Sequence, residues 1–414
     1  MKEPVIISAV RTPVGRYMGA LKDIQAYDLA ALVLKEVLDR ARLKPEQVDD
    51  VILGQSYQNG EYVNIARMAL LKAGWPESIP GVTMDRRCCT GLDTVCFAGM
   101  MIRSGQAEVV VAGGVESMSN AEFYLPGHIK WGVGGKKGMP RGHGDLAIWG
   151  IPFYDRIQRA RVMSQPEERY GVLPAMMTWA ETAAKEENIS REACDRWALQ
   201  SHQKACMAIQ SGKFDQEIIP VSVSADGKEI HIVKTDENPR PDASLDRLAK
   251  LKPVLGGVCT AGNSSTENDG AAAVVVASKE KALEWGMEPM ASIRSFSVAG
   301  DDPRRTYKTV PIAVEKALKR AGLSLEQMDL IEIQEAFAAQ VLADLKALNL
   351  GPVDHERINV NGSGISLGHP IACTGTRVLV TLLYEMKRRN ARYGLESICG
   401  GGGLGIAAVL EREY

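Results

Sequence analysis

An α/β fold assembled from two similar halves is what this 414-residue chain predicts, and three observations carry it. First, several short apolar runs lack the strict alternation of a half-exposed sheet. Strands of that kind are covered by helices on both faces. Second, one helix-turn-strand unit occurs twice. Residues 36–52 and 316–332 align without gaps, matching at Leu38/Leu318, Arg40/Arg320, Ala41/Ala321, Leu43/Leu323, Glu46/Glu326, Gln47/Gln327 and Asp49/Asp329. That spacing is far too long for a solenoid repeat, so it points to two related α/β halves. Third, 45% of the residues are apolar and 24% charged, enough to bury a large core.

In chain order, Val5–Val10 is the first buried strand, and 36–52 the first amphipathic helix, turn and strand. Gly81–Met84 reads as a strand leading to a helix that opens near Thr90, and Glu108–Gly114 as the strand after that helix. A long excursion covers 120–250. Its part from Gly127 to Gly150 is glycine-rich with mixed charges and reads as loop. Its part from Met176 to Ile209 reads as helices, with Ser190 an N-cap and Gly212 just past the end. A segment of this kind beside an α/β core suits a lid or ligand clamp. Ala271–Ala277, the repeat at 316–332, Leu395–Cys399 and Leu404–Leu410 complete the second half. The organisation expected is an N-terminal half at 1–119 to which 251–275 returns, a loop domain at 120–250, and a C-terminal half at 276–414.

Formal net charge is −2, so nothing draws the whole chain to nucleic acid or an anionic membrane. No apolar window reaches the length of a membrane span, and the N-terminal apolar run is too short for a secretory signal. Eight cysteines include no Cys-x-x-Cys pair, and adjacent Cys88-Cys89 makes a poor staple and a poor zinc knuckle. No metal site is expected. Reduced thiols in a cytoplasm fit this pattern.

Three distant segments carry groups that handle thiols, acyl groups or protons. Cys88 stands at the start of the helix after Gly81–Met84, where unpaired amides and the helix dipole are expected to lower a thiol pKa. Arg86 and Arg87 add positive charge, and Cys89 competes for the same role. His369 lies between Gly368 and Pro370, in a run containing Asn361-Gly362-Ser363-Gly364. It can take a thiol proton or donate to an acyl oxygen as negative charge develops. Cys399 ends a strand, and Gly400–Gly403 follow, leaving backbone N–H groups free to face a thioester oxygen. That loop lacks the lysine of a phosphate-binding Gly-x-x-x-x-Gly-Lys motif.

Taken together, these pieces resemble the thiolase family over nearly the whole chain. The matching segments are Ser8–Pro13, Cys88–Leu92, Gly113–Ser119, Thr260–Ser265, Glu335–Phe337, Asn361–Pro370 and Cys399–Gly405. The resemblance implies a duplicated, layered α-β-α-β-α core with an inserted loop domain. It implies Cys88 as acyl-carrying nucleophile and His369 as its activator and oxyanion donor. Cys399 becomes the acid/base at the substrate α-carbon, and the N–H groups of Cys88 and Gly401 a second oxyanion hole. The family's usual asparagine, which fixes a water in the first oxyanion hole, is Gln334 here. Tryptophans 131, 149 and 179 lie in or beside the excursion and can narrow the pocket.

The resemblance further places Met176 at the acyl pocket, Arg240 near the CoA adenine end, and Ser265 and Ala336 beside the pantetheine arm. Substrates are acyl-CoA thioesters, CoA being a substrate with no cofactor held permanently. The expected reaction is condensation of two acetyl-CoA or thiolysis of a short 3-oxoacyl-CoA. A bulkier or unusual 3-oxoacyl-CoA is the alternative, and a decarboxylating condensing enzyme of the same fold a more distant one. A homodimer or homotetramer is implied, with neither nucleic acid nor membrane as a partner.

Overall fold

The computed structural model describes residues 1–126, 152–173, 175–224 and 230–413. Its longer strands, numbered here in chain order, are β1 (Pro4–Arg11), β2 (Asp50–Gly54), β3 (Gly81–Met84), β4 (Val109–Ser117) and β5 (Asn268–Ser278). The second half supplies β6 (Ala291–Gly300), β7 (Leu330–Ile333), β8 (Tyr393–Gly400) and β9 (Leu404–Glu411). The stretch read as loop from Gly127 to Gly150, with Trp131 and Trp149, lies outside the described residues.

The strands run β7-β8-β9-β6-β1-β5-β4-β2-β3. Outward from β1, the order β1-β5-β4-β2-β3 repeats as β6-β9-β8-β7, followed by a parallel bridge from Ile331 to Ile358 where β3 has its counterpart. Pairing directions repeat too: two antiparallel contacts, then parallel ones. Among the described residues, the two half-sheets pair through Val5 opposite Ser292 and Ile6 opposite Ala291.

The apolar runs lack alternation because both faces of each half-sheet are covered. In β5, Ala271, Ala273, Val275 and Ala277 pack in the cluster containing helix Ala26–Ala41. Ala272, Val274 and Val276 face the opposite way, onto Leu92 and Val95 of helix Thr90–Ser104 and Leu379 and Leu383 of helix Thr374–Arg389. In β9, Ala407 and Val409 meet Val310 and Val314 of helix Thr309–Ala321, while Ile406, Ala408 and Leu410 join the central cluster. Two helices therefore lie between two half-sheets, with further helices outside. That is the α-β-α-β-α arrangement expected.

The repeated residues do repeated work. Gln47 Oε1 accepts from Lys44 N and Gln327 Oε1 from Ser324 N, both at 2.8 Å, each closing one 3₁₀ turn. Asp49 accepts from Glu108 and Val109 at the entry to β4. Asp329 accepts from Arg392 and Tyr393 at the entry to β8. In the excursion, helices Met177–Glu187 and Arg191–Gln210 form, Ser190 Oγ accepts from Ala193 N, and Gly212 follows at φ +67°.

Arg11 bolts this excursion to the core. Its fully buried guanidinium bonds Glu217 at 2.7 Å and Asp236 at 2.7 and 2.9 Å, with its Cζ 5.0 Å from the Phe214 ring centroid. Removing one partner strands a buried charge, which costs far more than the pair contributes. Asp236→Ala should therefore lower unfolding free energy by about 3 kcal/mol or more. Asp329→Ala, at the surface, should cost about 1 kcal/mol. Urea titration compares the two; equal losses would count against the buried-charge account.

Candidate active site

Cys88 is delivered by the turn between β3 and helix Thr90–Ser104. Arg87 sits at φ +53°, and Thr90 Oγ1 accepts from Arg86 N and donates to Arg87 O, both at 2.6 Å. Cys89, not Cys88, is the N-cap. Its thiol turns into the central core, 3.5 Å from Ile398 O, while Cys88 faces a cavity. Arg86 pairs with Asp93 at 3.2 Å, so of the two arginines only Arg87 lines that cavity.

His369 arrives from the other half. Gly368 adopts φ +95°, and a Cβ there would stand 2.6 Å from Asn238 and Asn268 side-chain atoms. The turn therefore needs glycine. Asn268 Oδ1 accepts from His369 N at 2.8 Å, and Thr374 Oγ1 holds the ring Nδ1 at 2.7 Å. Nε2 is then 3.1 Å from Cys88 Sγ. Cys399 comes from the end of β8, and the turn after it uses φ +88° at Gly402 and +78° at Gly403. The cavity, about 840 Å³, is lined by Cys88, His369, Cys399 and Gly401 together with Met176, Arg240, Ser265 and Ala336.

Burial dominates the electrostatics. It pushes the Cys88 thiol up to about 11, although the N–H of Gly401, the charge of Arg87 and its own N–H pull the other way. The depressed pKa expected at a helix start is not found: the thiol stands ahead of the N-cap, and desolvation exceeds the favourable dipoles. Burial, then Arg377 and Arg161, bring His369 down to about 3. Cys399 is held well above the usual thiol range by burial and by Asp344. All three groups are therefore neutral near pH 7, two thiols and an imidazole.

The comparisons with known proteins agree along the whole length. A family model described as thiolase, N-terminal domain, matches residues 4–280, and one described as thiolase, C-terminal domain, matches 287–412. The chain belongs to the thiolase family. It is 42% identical to an acetyl-CoA acetyltransferase of Cupriavidus necator, with both chains fully covered. It is 41% identical to a 3-oxoadipyl-CoA/3-oxo-5,6-dehydrosuberyl-CoA thiolase of Escherichia coli, again over all of both. The crystal structure of the Bacillus anthracis acetyl-CoA acetyltransferase superposes with TM-score 0.90 at 41% identity, covering 99% of each chain. Human mitochondrial 3-ketoacyl-CoA thiolase gives TM-score 0.89 at 35% identity, covering 100% of this chain and 99% of that one.

Within this thiolase, Gln334 is the expected site residue that does not reach the cavity lining. It is fully buried, neither amide atom has a hydrogen-bond partner, and it packs against Gly364. Trp179 is buried on the cavity wall, edge-to-face with Phe337 at 5.1 Å. Met176 covers Gly401, where a Cβ would come within 2.6 Å of its methyl group. Arg240 is exposed at the rim, its backbone N–H bonded to His202 Nδ1.

Sequence reading missed the supports. Glu116 accepts N–H bonds from Ser56, Tyr57 and Ala372. Glu335 gathers Trp197, Ser201, Asn359 and Ile365, tying the excursion to the second half. Thr374 and Asn268 set the His369 ring and backbone. For Thr374 a signal existed, since Cys89-Thr90-Gly91 recurs as Cys373-Thr374-Gly375. Among the described residues no helix is long and apolar enough to cross a membrane.

His369 also makes a stability prediction. Its folded pKa lies below its unfolded value, so the unfolded chain takes up a proton first as pH falls below about 6.5. The fold loses stability from there down towards the folded value of about 3. Relative to wild type, His369→Asn should gain about 2 kcal/mol between pH 7 and pH 5. Urea unfolding at both pH values measures it; a constant difference would show that His369 titrates normally in the fold.

Proposed function

We propose that this thiolase transfers acyl groups between Cys88 and CoA, joining two acetyl-CoA or cleaving a short 3-oxoacyl-CoA. The observation that carries the reading is the 3.1 Å approach of His369 Nε2 to Cys88 Sγ in a cavity that also presents Cys399. With Nδ1–H donating to Thr374 Oγ1, Nε2 is free to accept the thiol proton. Because both groups rest neutral, that proton moves as sulfur attacks the thioester or ketone carbonyl, not beforehand. The N–H groups of Cys88 and Gly401, which both act on Cys88 Sγ, are placed to stabilise the oxyanion at the carbonyl under attack.

Cys399, held protonated by burial, suits an acid that delivers a proton to the acetyl-CoA enolate leaving in thiolysis. In condensation the step runs in reverse: Cys399 as its thiolate takes that proton from C2 of the second acetyl-CoA and returns to the thiol. Gln334 acts from behind the wall, its unpartnered amide offering donors and an acceptor to a buried water. CoA enters past Arg240, with its pantetheine arm along Ser265 and Ala336. The working unit is a homodimer or a pair of dimers in the cytoplasm; among the described residues no strand lies beyond β3 at the end of the sheet, which supports pairing. Light scattering decides the assembly.

Acetyl-CoA should add one acetyl group to Cys88, seen by peptide mass analysis. Cys88→Ala should abolish it, and Cys89→Ala should retain it. Label on Cys89 in the wild type would overturn the assignment. Cys399→Ser should still load acetyl groups yet lose condensation and acetoacetyl-CoA cleavage by at least about 10²-fold. Equal loss of loading and of carbon–carbon chemistry would refute this division of roles.

A further inference from the structure

The cavity wall beside Cys88 carries charge that acetyl transfer does not use. Arg16, Arg87 and Arg161 line it, with Glu267 and Asp242 the carboxylates on the same lining and Asp85 and Glu116 close behind. Glu267 is already engaged by Arg161 at 2.6 Å. Asp242, the other carboxylate on the lining, pairs with Arg247. Among the described residues the guanidinium of Arg87 has no carboxylate partner; it donates to Ala160 O at 3.5 Å. Helix Arg156–Val162, which holds Ala160 and Arg161, thus adjoins the turn bearing the thiol.

Arg87 is also an improbable residue for its backbone. At φ +53° a non-glycine side chain costs about 1 kcal/mol, and Gly or Asn would fit at less cost. It immediately precedes Cys88. CoA's phosphates lie a whole pantetheine arm from the reacting sulfur, so a guanidinium here meets the acyl group instead. The charge of Arg87 is felt at Cys88 and Tyr57, and that of Arg161 at His369 and Tyr57, which places both near the reaction centre.

We propose that Arg87, supported by the Arg161–Glu267 pair, binds a terminal carboxylate on the acyl chain, making short ω-carboxylated 3-oxoacyl-CoA thioesters the preferred substrates. The inference rests on the thiolase reading and names the substrate class of that site. A planar guanidinium accommodates a carboxylate through two parallel N–H···O bonds. In thiolysis, Cys88 Sγ attacks the 3-oxo carbon and the C2–C3 bond breaks. Acetyl-CoA leaves as its enolate with a proton from Cys399. His369 Nε2 takes the Cys88 proton in that attack. The ω-carboxyacyl group remains on Cys88, its tail on Arg87, until the CoA thiol gives its proton to the Cys399 thiolate and its sulfur attacks the acyl carbon. The bond from that carbon to Cys88 Sγ then breaks, and His369 returns its proton to Sγ. No oxidant or reductant is involved.

The test compares 3-oxohexanedioyl-CoA with 3-oxohexanoyl-CoA in CoA-dependent cleavage by the full-length enzyme. The ratio of their kcat/KM values should favour the carboxylated substrate by about 10- to 100-fold, the range of one charge-assisted interaction. In Arg87→Gln that ratio should collapse towards unity, with Arg87→Lys between them. Because the readout is a ratio, a general loss of activity leaves it interpretable. Where a variant folds poorly, wild-type loading of Cys88 from succinyl-CoA against butyryl-CoA, read by mass, supplies the second measurement. A wild-type ratio at or below one, with cleavage intact, would overturn the carboxylate site and leave the thiolase reading standing. A ratio unchanged in Arg87→Gln would overturn the role of Arg87. Failure to cleave or load any of these thioesters, acetoacetyl-CoA included, would overturn the thiolase reading, and this proposal with it.

Discussion

The site depends on two central helices touching backbone to backbone at their first turns. A Cβ on Gly91 would stand 2.6 Å from Ala372 O and 2.7 Å from Thr376 N, and one on Gly375 would collide with Leu92 N. No side chain fits between. The approach brings the turn ahead of Thr90 and the turn ahead of Thr374 together, and those turns hold Cys88 and His369. Gly114 serves the same contact from the sheet, since a Cβ there would overlap Ala372 O. Glu116, two residues on, then accepts the Ala372 N–H. Duplication supplied both helix starts, and divergence set them to different work. Thr90 Oγ1 ties the turn that carries Cys88, and its counterpart Thr374 Oγ1 holds the imidazole.

Bringing these groups into the middle of a layered protein has an electrostatic consequence. Desolvation disfavours every charged form. It raises Cys88, Cys399 and Glu116, the last to about 7, and depresses His369. A thiolate–imidazolium ion pair is therefore not the resting state here. The cavity presents neutral partners, the His369 ring bonded to Cys88 and Thr374. Against that background the Arg87 guanidinium stands out as a cation with no carboxylate partner among the described residues.

Much of the fold was legible because its signals are local. Apolar runs in β1, β4, β5 and β9 announce strands covered on both faces, and the 36–52/316–332 match announces the duplication. Ser190 and Gly212 bracket a helix by capping chemistry alone. The site was legible where residue type limits the chemistry, as with cysteine, histidine and glycine in special settings. It was not legible where the outcome hangs on neighbours from elsewhere in the chain. Gln334 falls behind the cavity wall because Gly364 leaves it room there, and Glu335 becomes a hub only once four distant donors converge on it.

By itself, then, the sequence determined the periodicities, the duplicated unit, the family membership and the reactive atoms available. Residue type left Cys88 and Cys89 competing until the resemblance picked Cys88, and tertiary structure supplies the physical reason that Cys88 faces the cavity. One residue of rotation about the helix start sends Cys89 to Ile398 and Cys88 to His369. It also reversed the expected direction of the thiol pKa. Short-range rules register the helix dipole at a cysteine but not the depth of protein above it. Distance, burial and field are properties of the assembled core, summed over segments that lie hundreds of residues apart in the chain.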